Sequence, residues 1–285
     1  MVALHILGNG FDRKHELPTS YSPHLREIAV RSERFAGEWD SYSEAGELWS
    51  DVEEHLAFPN TDGLIEHLEF YAPNMLSERE SDRDGIIHEA EQLLSFPLEE
   101  FARRADEAIE QARSFAAFQR LFDPDDFFLT FNYTHTLERL YLIDPARILH
   151  LHGEVGGEPL ILGYAPGDLR ELRELHEWDH EENFDHYRST AHNAIEKRLL
   201  DFEKTYQTKT LAGFLDKVRG KVDEVIVYGF SFGRVDRPYF HQLASEVGAL
   251  PRTVLAYNED AVQKACVQFD QYKCGIKYER RVFEA

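Results

Sequence analysis

The amino-acid sequence predicts an α/β protein built on a parallel, Rossmann-like sheet. Short β-prone runs, amphipathic helical stretches between them, and glycine-rich or polar turns after the runs all favour this class. The clearest run covers residues 225–228, which are apolar throughout and end at Gly229. Because strands that alternate with helices are joined by right-handed crossovers, we expect their carboxyl ends to lie at one edge of the sheet.

The order of predicted elements supports this class along the whole chain. Strands are predicted at residues 2–7, 127–131, 148–152, 159–163, 225–228, 253–257 and 276–283. Apolar stripes predict helices near residues 64–71, 86–94, 101–115, 137–141, 191–202, 211–218, 239–247 and 262–269. Asp62 and Asp236 are placed to cap two of them. We expect a single α/β domain of residues 1–285 that carries a charged helical insertion of residues 34–121.

The composition excludes several classes of protein. The 285 residues carry a formal net charge of -22, which repels nucleic-acid backbones and anionic lipid headgroups. No window is long and apolar enough to cross a bilayer, and no basic segment precedes the first strand. The only cysteines, Cys266 and Cys274, cannot form a disulfide framework or a four-thiolate zinc site. We expect a cytoplasmic protein that binds neither nucleic acid nor membranes directly.

Chemistry-bearing turns follow four of the predicted strands. They are residues 8–12, Asn132, His152 with Gly153, and residues 229–231. Each turn alone has a simple structural explanation; Asn132, for example, could satisfy its own backbone. The sheet nevertheless places all four at one edge, so we expect them to form a single site.

The first of these turns reads Gly8-Asn9-Gly10-Phe11-Asp12. A Gly-x-Gly turn after a strand indicates a loop whose backbone either passes close to a phosphate or turns sharply, and the third glycine of the dinucleotide fingerprint is missing. A side chain at Gly10 is therefore expected to block a ligand while leaving the fold intact. Asp12 either contacts a ligand hydroxyl or caps the next turn.

Two groups of histidines are candidates for a functional role. His150 and His152 are two residues apart, so strand alternation places them on the same face of the sheet. His176, His180, His186 and His192 are irregularly spaced and lack a metal-binding motif. We interpret these four as surface histidines and expect no metal site.

Residues 229–233 also match the Gly-x-Ser-x-Gly pattern of serine hydrolases. The only histidine after Ser231 in the sequence is His241, ten residues later, and it lies in the helix predicted to follow this turn. That position is poorly suited to a catalytic base, so a serine hydrolase is the weaker interpretation.

Several of these motifs together resemble the AbiH family of bacterial abortive-infection proteins. The resemblance spans nearly the whole chain and is thinnest in the helical insertion. It rests on Gly8-Asn9-Gly10-Phe11-Asp12, Leu17-Pro18-Thr19-Ser20-Tyr21, Phe131-Asn132-Tyr133-Thr134, Leu137-Glu138, His150-Leu151-His152-Gly153, residues 159–163, residues 229–233 and Asp236.

That family in turn resembles a sirtuin-like fold, and this second resemblance implies a site for NAD. It assigns Asn132 and His152 to catalysis. It assigns Gly8, Asn9, Gly10, Phe11, Asp12, Gly153, Gly229, Ser231 and Asp236 to nucleotide binding. The sirtuin zinc module needs four cysteines, so it is absent, and NAD hydrolysis is expected instead of protein deacetylation.

Cleavage of the nicotinamide–ribose bond needs a group that orients or deprotonates water or a ribose hydroxyl. A neutral histidine does this near its ordinary pKa of about 6.5. His152 is the expected base, His150 the alternative, and Asn132 the positioning residue. We expect an antiphage effector that hydrolyses NAD and forms a homo-oligomer through residues 34–121. Alternatively, the protein binds NAD or ADP-ribose without turnover and signals to a defence partner.

Overall fold

The computed structural model describes residues 1–31, 39–69, 85, 87–90, 92, 95–157, 159–169, 186–231, 233–247, 250, 252–256, 260, 263, 267 and 278–282. Its chain divides into two compact units. The first comprises Met1–Ser20, Leu98–Ile161 and Thr205–Ala285. The second comprises Tyr21–Pro97 and Leu162–Lys204. The predicted insertion of residues 34–121 includes parts of both units, and the assignment of residues 1–285 to a single domain stays a prediction.

A six-stranded parallel sheet forms the centre of the first unit, which confirms the predicted fold class. Its spatial order is β3-β2-β1-β4-β5-β6. The strands are β1 (Ala3–Leu7), β2 (Phe127–Thr130), β3 (Ile148–His150), β4 (Glu224–Tyr228), β5 (Arg252–Ala256) and β6 (Tyr278–Val282). This is the strand order of doubly wound nucleotide-binding sheets, and the order reverses direction between β1 and β4.

Ten α-helices have defined bounds within the described residues. They are α1 (Asn9–Lys14), α2 (Arg26–Ala29), α3 (Val52–His55), α4 (Thr61–Glu69), α5 (Leu98–Glu107), α6 (Ala116–Leu121), α7 (Thr136–Tyr141), α8 (His186–Leu200), α9 (Thr208–Val218) and α10 (Arg237–Val247). None of the described helices is long and apolar enough to span a lipid bilayer.

Helices cover both faces of the sheet, which explains why β1 is buried at every position. On one face, Leu4 and Ile6 pack with apolar residues of α9 and α10. On the other, Ala3 and Leu7 pack with Phe118 of α6 and Leu137 of α7. The apolar stripes predicted near residues 211–218 and 239–247 are therefore core-facing, as expected.

Two predicted elements take a different form. Residues 159–163 form no strand; in this described segment, a single bridge joins Tyr164 to Glu203. The helix predicted across residues 101–115 ends at Glu107, a 3-10 turn covers Ala108–Gln111, and α6 starts separately at Ala116. The Phe115 amide at this break donates a hydrogen bond to the Tyr141 hydroxyl at 3.1 Å. Apolar spacing continues across the break because both helices bury residues in the same unit, so periodicity alone did not reveal it.

The second unit contains α2, α3, α4 and α8. Ala191, Ala194, Ile195 and Leu199 on α8 are buried, as their spacing predicted. Asn60 caps α4 through a 3.0 Å hydrogen bond from the Gly63 amide to its Oδ1, so the predicted cap at Asp62 is wrong by two residues. Residues 86, 93 and 94 of the predicted second stripe lie outside the described residues.

The sheet unit also contains a close crossing of two backbones. A Cβ atom built on Gly10 would lie 2.5 Å from Gly229 Cα, and one built on Gly229 would lie 2.6 Å from Gly10 Cα. Gly229 also has a φ of 62°, which favours glycine. The expectation that a side chain at Gly10 leaves the fold intact is therefore wrong, because the neighbouring atoms are backbone and cannot move aside cheaply.

We predict that Gly10→Ala lowers the free energy of unfolding by about 1–3 kcal/mol, the usual cost of overpacking. Chemical denaturation of the two proteins measures the difference. Gly213→Ala on α9 is the matched control, because a Cβ there meets no atom within 4 Å. The control should gain up to about 1 kcal/mol from its helical position. A Gly10→Ala protein as stable as the parent contradicts the packing described for this crossing.

Candidate functional site

The four polar turns meet at the carboxyl edge of the sheet, within the first unit. The Gly8 amide donates to the Tyr228 carbonyl at 3.0 Å, and the Gly10 amide donates to the Gly229 carbonyl at 2.8 Å. Asn132 Nδ2 donates to the Gly8 carbonyl at 3.2 Å. These bonds join the ends of β1, β2 and β4 on either side of the point where the strand order reverses. Such a point is where doubly wound sheets bind their ligands.

The Gly-x-Gly turn has a structural reason for both of its glycines. Gly8 and Gly10 each lie against the backbone that follows β4. Because neither residue has a side chain, these two segments of the protein can pack closely together. Asn9 is exposed, and its Nδ2 donates to the Thr19 carbonyl at 2.7 Å, which holds the following loop. Phe11 is buried among aromatic rings, including Phe118 at 5.0 Å. Phosphate binding by this turn stays a prediction.

Asp12 lies beneath the site and is only 1% exposed. Its Oδ2 accepts a 2.6 Å hydrogen bond from Thr134, and its Oδ1 accepts a 2.9 Å bond from Thr136. The two hydroxyl oxygens are themselves 2.9 Å apart. Desolvation raises the pKa of Asp12 from 3.8 to about 6, although the two hydroxyl bonds oppose the shift. Both carboxylate oxygens are engaged, so Asp12 joins the turn after β1 to the turn after β2.

Protonation also fits the arrangement of oxygen atoms around Asp12. Three oxygen–oxygen contacts connect Asp12, Thr134 and Thr136. Two threonine hydroxyls supply only two protons for them when the carboxylate is ionised. A protonated Asp12 supplies the third.

Asn132 is 7% exposed and connects three strand ends. Besides its bond to Gly8, its backbone carbonyl accepts a 3.0 Å hydrogen bond from His150 Nδ1. Among the described residues, no hydrogen bond reaches its side-chain oxygen Oδ1. The side-chain nitrogen is thus engaged, while Oδ1 is left to accept a hydrogen bond from a ligand or water.

His152 is buried, with 4% of its surface exposed. Its ring packs edge-on against Phe131 at 5.0 Å and lies 5.9 Å from the Tyr239 ring. Nε2 lies 3.3 Å from Asp236 Oδ1, within ion-pair distance, but the angles do not form a hydrogen bond and this buried nitrogen has no hydrogen-bond partner in the described residues. The contact is therefore a close electrostatic approach and not a hydrogen bond.

His150 and His152 contact opposite faces of the sheet, so the prediction that they share a face is wrong. His150 Nε2 lies 2.9 Å from Glu138 Oε1, and Glu138 belongs to α7. The contacts of His152 are with Phe131 and Tyr239, which belong to the core on the α9 and α10 side. The reason is that β3 ends at His150 and His152 lies in the turn that follows, where alternation no longer applies.

The remaining predicted site residues lie in the turns after β3 and β4. Gly153 has a φ of 85°, a conformation that favours glycine. Ser231 is exposed and makes no hydrogen bond with the described residues. His241 is exposed, and its Nε2 accepts a 3.2 Å hydrogen bond from Arg237 Nε. No histidine among the described residues is hydrogen-bonded to Ser231, which disfavours the serine-hydrolase interpretation.

A second polar cluster lies beside the site, and sequence reasoning missed most of it. His135 Nδ1 donates a 2.9 Å hydrogen bond to Asp106 Oδ1, and Arg139 pairs with Asp106 Oδ2 at 2.9 Å. The bond to Asp106 raises the pKa of His135. Burial lowers the pKa of His150, but the hydrogen bond and charge of Glu138, the Asn132 carbonyl and the charge of Glu154 together outweigh it, so this pKa is raised as well. In the sequence, only the polar run Thr134-His135-Thr136 after a strand end could have indicated this cluster. No sequence pattern pointed to Asp106 or Glu154.

Fold and site together define a doubly wound α/β protein with an asparagine and a histidine at the carboxyl edge of its sheet. Residues 4–257 match the family model of bacteriophage abortive infection AbiH. The chain belongs to this family of antiphage abortive-infection proteins, which confirms the resemblance inferred from its motifs. A comparison with curated proteins finds no match.

Asp12→Asn tests the buried carboxyl. Because the folded-state pKa of about 6 exceeds the ordinary 3.8, the folded protein holds this proton more tightly than the unfolded chain. The parent therefore loses stability as the pH rises through this range, by at most ~3 kcal/mol. The variant cannot ionise at this position and should gain stability relative to the parent between about pH 4 and pH 7.5.

Urea denaturation of both proteins at the two pH values measures this shift. Asp216→Asn on the exposed side of α9 controls for the removal of one negative charge from an acidic protein. A stability difference that moves in favour of the parent as the pH rises would show that Asp12 is bound as a stabilised carboxylate.

Proposed function

We propose that this protein is an effector of abortive infection that hydrolyses NAD at the nicotinamide–ribose bond. The observation that carries the proposal is the placement of His152, which is buried at the carboxyl edge with Nε2 3.3 Å from Asp236 Oδ1. It follows β3 directly, as Asn132 follows the neighbouring β2. The sirtuin-like resemblance of the motifs is what selects NAD among the nucleotides that such an edge can bind.

The reaction consumes water and NAD and yields ADP-ribose, nicotinamide and one proton. Nicotinamide leaves as a neutral molecule, so its departure needs no general acid. Positive charge develops on the ribose as the bond breaks. What the protein must add is a base for the attacking water or for a ribose hydroxyl.

His152 is the base in this proposal. With the proton on Nε2, the nitrogen nearer Asp236, the imidazole keeps a lone pair on Nδ1 and accepts the proton there. Asp236 then stabilises the resulting imidazolium. The rings of Phe131 and Tyr239 limit access of bulk water to the histidine, which strengthens this electrostatic interaction.

Asn132 is the positioning residue. Its side-chain Nδ2 donates a hydrogen bond to the Gly8 carbonyl, and its backbone carbonyl accepts one from His150 Nδ1. Both the side chain and the backbone of Asn132 are therefore held in place. Oδ1 can accept a hydrogen bond from a ribose hydroxyl or from the attacking water without adding charge. This arrangement suits orientation in the transition state better than proton transfer.

His152→Ala tests the catalytic assignment. General-base catalysis contributes about 10²–10⁴-fold, so the variant should lose at least about two decades in turnover while its NAD affinity changes far less. Asn132→Ala should likewise lower turnover more than binding. Nicotinamide release from purified protein gives the rate, and calorimetry with NAD gives the affinity. Toxicity on expression should disappear with turnover.

His241→Ala is the matched histidine control, because it is exposed on α10 and stands outside the proposed machinery. His150→Ala in parallel separates the two histidines near the end of β3. Nicotinamide release by His152→Ala at the parent rate overturns the assignment. A parent protein that binds NAD but releases no nicotinamide would instead identify the non-catalytic sensor.

The proposal also requires restraint of the enzyme before infection. We propose that oligomerisation through residues 34–121 supplies it, and we predict a homo-oligomer in solution. Size-exclusion chromatography with light scattering over micromolar concentrations measures the mass. A homogeneous monomer across that range would contradict this prediction without bearing on His152.

A further inference from the structure

The geometry points to a binding site for a divalent transition-metal ion, which we propose is held by Glu138, His150 and Glu154. The site is separate from His152 and does not depend on the proposed NAD chemistry. One ligand atom from each of the three residues lies within 4.8 Å of the others. The three residues come from α7, β3 and the turn after β3, so the fold, and not one flexible loop, brings them together.

The orientation of His150 is the first argument. Its Nδ1 lies 3.0 Å from the backbone carbonyl of Asn132, which can only accept a hydrogen bond, so Nδ1 carries a proton. The other nitrogen, Nε2, then faces Glu138 Oε1 at 2.9 Å and Glu154 Oε2 at 3.7 Å. A neutral ring would direct its lone pair at two carboxylates. A cation at this point removes that repulsion, and a backbone carbonyl on Nδ1 is a usual way to orient a metal-binding histidine.

The partners of Glu138 are the second argument. Its side chain is 15% exposed, and its Oε2 is a buried atom that lacks a hydrogen-bond partner in the described structure. A proton on His150 Nε2 would satisfy only Oε1. A metal ion between the three residues can engage both carboxylates and the imidazole together, which accounts for this buried oxygen.

The distances suit a small ion. Ligands about 2.0–2.2 Å from a tetrahedral Zn²⁺ are about 3.3–3.6 Å from one another. The His150 nitrogen lies 2.9 and 3.7 Å from the two carboxylate oxygens, values on either side of that range. One imidazole with two carboxylates suits Zn²⁺ or Mn²⁺ better than Mg²⁺, which prefers oxygen ligands and keeps its waters.

His135 and Asp106 support the exposed ligand. His135 Nε2 lies 3.4 Å from Glu154 Oε2, and its other nitrogen donates to Asp106 Oδ1 at 2.9 Å. The contact with His135 helps to hold the Glu154 carboxylate, although the Glu154 side chain is 43% exposed. Three protein ligands with one position open to solvent is the usual arrangement at a metal that binds water or an anion.

Equilibrium dialysis of full-length protein, stripped with a chelator, tests the proposal with Zn²⁺, Mn²⁺ and Mg²⁺ as separate probes. We expect one equivalent of Zn²⁺ or Mn²⁺ to bind at least tenfold more tightly than Mg²⁺. Glu154→Gln should weaken binding at least tenfold, and the Glu138→Gln, Glu154→Gln double variant should abolish it. Co²⁺ bound by the parent should give visible bands that the double variant lacks.

Glu110→Gln is the matched control, an exposed carboxylate outside the cluster, and should bind as the parent does. Circular dichroism without metal checks that each variant is folded. If the double variant does not fold, the single Glu154→Gln variant, at a partly exposed position, tests the proposal by itself. Absence of binding, preference for Mg²⁺, or an equivalent that survives the loss of Glu154 each overturns the proposal.

Discussion

The crossing of the Gly10 and Gly229 backbones is the constraint on which the functional edge depends. β1 and β4 are adjacent, and the turns that follow them pack so closely that neither position accommodates a Cβ atom. The Gly10 amide also donates to the Gly229 carbonyl. This contact fixes the start of α1, and through the bond from Asn132 to Gly8 it also positions the end of β2. Asn132 is thus positioned by backbone packing in the centre of the sheet.

The architecture was largely predictable because the apolar patterns of both its strands and its helices are strong. Buried strands read as largely apolar runs, and α9 and α10 show clear apolar stripes. The failures have local causes. The break between α5 and α6 depends on a hydrogen bond to Tyr141, which lies 26 positions away from Phe115. Residues 159–163 have strand-like side chains, but one bridge after them does not make a ladder.

The candidate site was predictable in position more than in its contacts. Parallel topology alone brings Asn132, His152 and the two glycine turns to one edge. The partners of these residues are set by tertiary packing: Asp236 approaches His152 from the segment before α10, and Asp106 reaches His135 from α5. The face of His152 was mispredicted because the strand ends two residues earlier. The close packing of Gly8 and Gly10 against the backbone after β4 could not be predicted from the glycine pattern alone.

The change of face between His150 and His152 has a practical consequence for spectroscopy. Two imidazoles separated by a single leucine lie in different surroundings, one beside carboxylates and the other between aromatic rings. Their proton and nitrogen resonances are therefore expected to be well separated. One isotope-labelled sample would follow events on both sides of the sheet at once, without an added probe.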